Sequence, residues 1–145
     1  MSGLLIADGQ VETRQLLLQV FHNRGFEVTA TNSAGCTLCS VYQKRVEVVL
    51  LGASLDGLSS TRLVSLLRDC NPQVAIILVA GPLSLPQLRE IRQVGVFYHA
   101  LPPVSAADRE ELLQAVICAL AGRRQPSSLL RSRSAWRQAR SNSQP

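Results

Sequence analysis

Five short apolar runs, each followed by a helix-like stretch, constrain this chain more than any other feature. The runs are Leu4-Leu5-Ile6-Ala7, residues 26–30 (FEVTA), 46–51 (VEVVLL), 74–79 (VAIILV) and 96–100 (VFYHA). Between the first two, residues 11–24 place Val11, Leu16, Leu17, Val20 and Phe21 near one helical face. Gly25 is placed to end that helix. Asn32-Ser33 offer an N-cap for a helix over 33–44. Ser59-Ser60-Thr61 open a helix to about 70, with Leu63, Val64, Leu66 and Leu67 as its inner face. A fourth helix is expected over 84–94, ended by Gly95, and a fifth from Ser105 to about 121, with Asp108, Glu110 and Glu111 near its positive end.

Such alternation predicts an α/β fold, a parallel sheet with helices on both faces joined by right-handed crossovers. The third and fourth runs are almost continuously apolar, as strands buried on both sides must be. In a sheet of this kind, ligands bind just beyond the carboxyl ends of the strands. Here that edge carries glycine, alanine, valine and proline, with Gly52 at the end of the third strand and Asp8 at the end of the first.

The 145 residues suffice for one domain with a real core. No apolar run approaches the ~18–20 residues needed to cross a bilayer. The start, Met-Ser-Gly-Leu-Leu-Ile-Ala-Asp-Gly, lacks the basic and apolar regions of a secretory signal, so a cytoplasmic location is expected. Charge divides the chain. Residues 1–122 hold nine basic and ten acidic side chains, whereas 123–145 hold six arginines and no acid. We therefore expect a folded domain over 1–122 and a basic, disordered tail over 123–145. In the tail, Arg131, Arg133, Trp136, Arg137 and Arg140 are the candidate contacts for nucleic acid or an anionic surface. Leu129, Leu130 and Trp136 are alternatively the anchors of a helix induced on a partner protein.

Four cysteines occur. Cys36-Thr-Leu-Cys39 has metal or redox spacing. A zinc site would want two more ligands, and His22 and His99 stand alone in sequence, so small apolar residues inside a helix are the favoured reading. No phosphate-cradling glycine loop or nucleophile elbow is present.

The element order, with Ala7-Asp8, Gly25-Phe26-Glu27-Val28, Val48-Val49-Leu50-Leu51, Asp56-Gly57-Leu58 and Gly95 followed by Pro103, resembles a response-regulator receiver domain over about residues 3–122. Receivers are the phosphoacceptor modules of two-component signalling. The resemblance implies a doubly wound, CheY-like sandwich of five parallel strands in the order 2-1-3-4-5. It also implies a site with an acidic pair, a phosphoacceptor Asp, a switch hydroxyl, a lysine and Mg²⁺.

The residues depart from that pattern. The acidic pair falls on Asp8-Gly9, the acceptor on Gly52, the hydroxyl on Val79, and the lysine on Leu101 or Pro102. The switch aromatic falls on Tyr98 or His99. Mg²⁺ binding is expected to be lost or weak, with no metal or other cofactor. The expectation is a non-enzymatic, phosphorylation-independent pseudo-receiver acting in bacterial regulation through protein contacts. Alternatives are a displaced acceptor at Asp56 or Ser54, and nucleic-acid binding through the tail. Asp56-Gly57 also reads as a turn before the third helix. In receivers the surface of helix four, strand five and helix five often forms the dimer or partner interface. Here it carries Arg89, Arg92, Asp108, Arg109, Glu110 and Glu111, a mix able to pair across a two-fold axis, and Tyr98 is a further candidate of that surface.

Overall fold

The computed structural model describes residues 3–122. The elements are β1 (Leu4–Ala7), α1 (Val11–His22), β2 (Val28–Thr31), α2 (Ala34–Tyr42) and β3 (Val48–Leu51). There follow β4 (Ser54–Leu55), β5 (Leu58–Ser59), α3 (Ser60–Cys70), β6 (Ala75–Val79), α4 (Leu85–Val94), β7 (Tyr98–Ala100) and α5 (Ala106–Gly122). Five strands form one sheet in the order β2-β1-β3-β6-β7, and each neighbouring pair runs parallel. With the β4–β5 hairpin set aside, this is the 2-1-3-4-5 order expected from the resemblance.

Every residue of β1, β3 and β6 is buried, and strand geometry divides them between two cores. Leu4, Ile6, Val48, Leu50 and Ile77 pack with Leu17 and Phe21 of α1 and Leu112 and Val116 of α5. Leu5, Val49, Leu51 and Ile76 pack on the other face with Val41 of α2 and Leu63, Val64 and Leu67 of α3. Leu78, Ala80 and Ile91 form a third cluster beneath α4. Apolar residues on both faces of the sheet leave no polar position to alternate, which is why these strands read as continuous apolar runs.

Caps set several boundaries. Ser33, Ser59 and Ser84 each accept a bond from the third helical amide that follows, so α2 begins after Ser33 rather than on it. At Ser84 the bond is reciprocal, because Gln87 Oε1 accepts from the Ser84 amide at 2.9 Å.

The second strand begins two residues later than expected. The amides of Gly25 and Phe26 go to the carbonyls of His22 and Phe21, and the rings of Phe21 and Phe26 meet edge to face at 5.4 Å. Phe26 thus closes α1 and cannot also start β2. Val11, expected on the inner face of α1, is 50% exposed, since it sits in the first turn beyond the end of the sheet. Leu66 on α3 is half-buried rather than buried. The turn expected at Asp56-Gly57 before α3 is present, as the tip of the β4–β5 hairpin, whose two short strands pair antiparallel through Ser54–Ser59 and Leu55–Leu58.

Candidate functional site at the carboxyl edge of the sheet

Beyond β1 the chain turns through Asp8-Gly9-Gln10 into α1. The Asp8 amide donates to the Thr31 carbonyl at 3.1 Å, which extends the β1–β2 pairing by one residue. Its Oδ1 accepts from the Gln10 amide at 2.8 Å, and its carbonyl accepts from the Arg14 guanidinium at 2.8 Å. Asp8 is 5% exposed. Burial pushes its carboxyl above the ordinary aspartate value, against the opposing effects of the Gln10 amide and the Arg14 charge.

The next strand over places Gly52 beside it. The Gly52 amide donates to the Ala7 carbonyl at 2.9 Å, which brings position 52 level with the end of β1. A Cβ built on Gly52 would fall 2.6 Å from Cγ, 2.7 Å from Oδ2 and 2.8 Å from Oδ1 of Asp8. The Asp8 carboxylate therefore fills the space that a side chain at position 52 would need.

The rest of the edge is apolar or otherwise engaged. Val79, expected from the resemblance to stand in place of a switch hydroxyl, is 3% exposed and pairs with Ala100. Leu101 and Pro102 are half-buried beyond β7 and carry no charge. The two aromatic candidates part company. The Tyr98 hydroxyl donates to Glu111 Oε2 at 2.7 Å, so its ring lies on the α5 side. His99 Nε2 lies 3.1 Å from the Ala80 carbonyl and 3.2 Å from that of Gly81. Both partners are acceptors, so this nitrogen carries a proton. His99, not Tyr98, faces the loop after β6.

Asp56 is held elsewhere. It and Gly57 form the two-residue tip of the β4–β5 hairpin with φ of 53° and 73°, the positive angles a primed turn requires. Its Oδ2 accepts from the Ala34 amide at 2.6 Å, so the exposed carboxylate caps the first turn of α2. Among the described residues no three His, Cys, Asp or Glu side chains come together as a metal site would need. Mg²⁺ takes several oxygen ligands in a strict octahedron. One carboxylate at the acceptor edge, disfavoured as an anion by burial, does not fit it.

On the expected interaction surface, Arg89 and Arg92 of α4 are exposed, and Asp108 and Arg109 are half-buried. Arg109 donates to the Val104 carbonyl at 3.1 Å. Glu110 pairs with Arg24, in the turn after α1, at 3.0 Å, and Glu111 holds Tyr98, so two of the acids expected to pair across a two-fold axis are engaged within the chain. A cavity of about 480 Å³ lies under the Arg24–Glu110 pair, between Leu16 and Val20 of α1 and Leu113 of α5. Cys36 and Cys39, read as small apolar residues of a helix interior, are exposed on the outer side of α2. Arg131, Arg133, Trp136, Arg137 and Arg140 lie outside the described residues.

Two features escaped the sequence reading. One is the hairpin, whose signal was present in Leu-Asp-Gly-Leu, a two-residue turn between matching apolar residues. The other is Arg68, whose guanidinium reaches the carbonyls of Pro72, Val74 and Gly95 and for which no local signal exists.

No protein-family model matches the chain. It is 24% identical over 113 residues to sporulation initiation phosphotransferase F of Bacillus subtilis, covering 78% of this chain and 89% of that one. A CheY-like receiver domain from Methanospirillum hungatei superposes with a TM-score of 0.76 at 21% identity, over 86% of this chain and 98% of the other. The receiver domain of an HD-domain protein from Pseudomonas fluorescens gives 0.74 at 21% identity, again over 86% and 98%. The chain has the receiver fold. Among the described residues no helix is long and apolar enough to cross a membrane.

Proposed function

We propose that this chain, built on the receiver fold, is a regulatory domain that works without phosphoryl transfer, through contacts with a protein partner in the cytoplasm. One observation carries the reading: the carboxylate of Asp8 stands where the acceptor side chain would stand on Gly52. Phosphoryl transfer needs a nucleophile and cationic groups against the developing negative charge. This edge offers Gly52 for the first and Leu101 and Pro102 for the second. Asp56, the nearest displaced acceptor, is committed to the amide of Ala34.

The proposed partner surface is that of α4, β7 and α5, where Arg89 and Arg92 stand exposed. His99 fixes β7 to the carbonyls of the loop after β6, so the surface is held in one arrangement without a phosphoryl group to select it.

The test has two parts. The full chain is incubated with acetyl phosphate and Mg²⁺, and its intact mass is measured; the expected result is no phosphoryl adduct, and a stable adduct would overturn the reading. The Arg92→Glu/Arg109→Glu variant is then compared with the wild type for self-association and for recovery of partners from native lysate. Unchanged association and recovery would move the interface elsewhere.

A further inference from the structure

Cys36 and Cys39 stand one helical turn apart on α2, and both are exposed, whereas Cys70 and Cys118 are half-buried. Ala34, Thr37 and Val41 take the inner face of the helix, so positions 36 and 39 share the outer one. The first turn is held firmly. Ser33 Oγ accepts from the Cys36 amide at 3.2 Å, and Thr37 Oγ1 donates back to the Ser33 carbonyl at 2.8 Å.

This geometry separates the two chemistries open to a pair of thiols. Residues three apart on a helix have Cβ atoms about 5–6 Å apart. A disulfide needs them at about 3.8 Å, so closing one would bend a turn that is capped and docked on the core. Two thiolates on opposite sides of one soft ion have sulfurs about 4.6 Å apart, twice a metal–sulfur bond of ~2.3 Å. Side chains rising from one helix face span that distance with the helix left intact.

The ligand count narrows the ion. Zinc in a structural site takes four ligands, and among the described residues no third His, Cys, Asp or Glu joins the pair. Residues 123–145 contain no Cys, His, Asp or Glu to supply one. Soft, low-coordinate ions satisfied by thiolate alone remain. We propose that Cys36 and Cys39 form a two-thiolate site for a soft monovalent cation of the Cu(I) type. Each thiol releases its proton as the ion binds, leaving one exposed anionic centre on a helix that carries no charged residue of its own. The site lies on α2, apart from the edge at Asp8 and Gly52, and stands whether or not the functional reading above is right.

The experiment is an anaerobic titration of the reduced full chain against Cu(I) held as its bicinchoninate complex, with loss of the complex's absorbance as the readout. The wild type and the Cys70→Ser/Cys118→Ser variant should each withdraw one equivalent. Cys36→Ser and Cys39→Ser should each lose it while keeping the far-ultraviolet circular dichroism of the wild type; both positions are exposed, so serine is tolerated. Alkylation with iodoacetamide followed by peptide mass analysis should show copper protecting Cys36 and Cys39 together. The proposal is overturned if the wild type withdraws no Cu(I), or if the Cys36→Ser/Cys39→Ser variant withdraws as much as the wild type. It is also overturned if zinc at equal concentration displaces the copper.

Discussion

The carboxylate of Asp8 lies over the α-carbon of Gly52, so close that a Cβ at position 52 would come within 2.8 Å of three of its atoms. The contact follows from register. Ala7 and Leu51 are paired across β1 and β3, and the residues that follow each of them meet at the sheet edge. A side chain at 52 would therefore have to displace the Asp8 carboxylate from its bond to the Gln10 amide.

Gly52→Ala is accordingly expected to destabilise the fold by about 1–3 kcal/mol, the usual range for overpacking a closed site. Denaturant unfolding measures it. The double variant with Asp8→Ala should recover most of the loss, since the two positions compete for one space. Additive losses would show that the glycine is needed for some other reason. Gly52→Asp alone should remain unmodified by acetyl phosphate, because Val79, Leu101 and Pro102 still supply no hydroxyl or lysine.

Asp8→Asn tests the electrostatics of the same contact. Burial raises the carboxyl of Asp8 above 3.8 in the folded chain. The folded state then binds the proton more tightly than the unfolded one, and stability falls as pH rises from the unfolded value through the folded one. The penalty is absent below that window and complete above it. Asparagine keeps an oxygen for the Gln10 amide and removes the charge. The variant should therefore be more stable than the wild type at neutral pH and lose that advantage on acidification, as read from melting temperature across pH.

The hairpin tip makes a separate prediction. Gly57 has φ of 73°, a left-handed conformation that costs a residue with a Cβ roughly 1–2 kcal/mol; Gly57→Val should cost at least that. Asp56→Ala should cost about 0.5–2 kcal/mol, as loss of a helix cap does, and should raise amide hydrogen exchange at Ala34 and the first turn of α2. Asp56→Asn, which keeps an acceptor and tolerates positive φ, should cost less.

Arg68 ties three segments together. Its guanidinium donates to the carbonyls of Pro72 and Val74, each at 2.7 Å, and through two nitrogens to the carbonyl of Gly95. Burial works against its charge, so these carbonyls are what hold it. Arg68→Ala should destabilise by about 1.5–3 kcal/mol, the range for hydrogen bonds to a charged group. Arg68→Lys should recover little, because an ammonium cannot reach carbonyls on both sides as the planar fork does. Urea midpoints of the two variants decide the matter.

Much of this molecule was legible in order of residues alone. Apolar periodicity marks the five main strands and five helices because burial on one or two faces dictates it, and Ser33, Ser59, Ser84 and Gly95 mark helix ends because unpaired helix amides and left-handed backbone demand those residue types. Gly52, Val79 and Pro102, where the receiver resemblance leads one to expect a nucleophile, a hydroxyl and a lysine, can likewise be read from sequence as carrying none of them. The remainder depended on which strands lie side by side. Asp8 meets Gly52, Asp56 meets Ala34, and Arg68 meets Gly95 only after the sheet is assembled, and no local propensity encodes contacts between residues more than twenty positions apart. The exposure of Cys36 and Cys39 was decided in the same way. Helical spacing puts both thiols on one face of α2, but only the docking of Ala34, Thr37 and Val41 against the sheet determines that this face is the outer one.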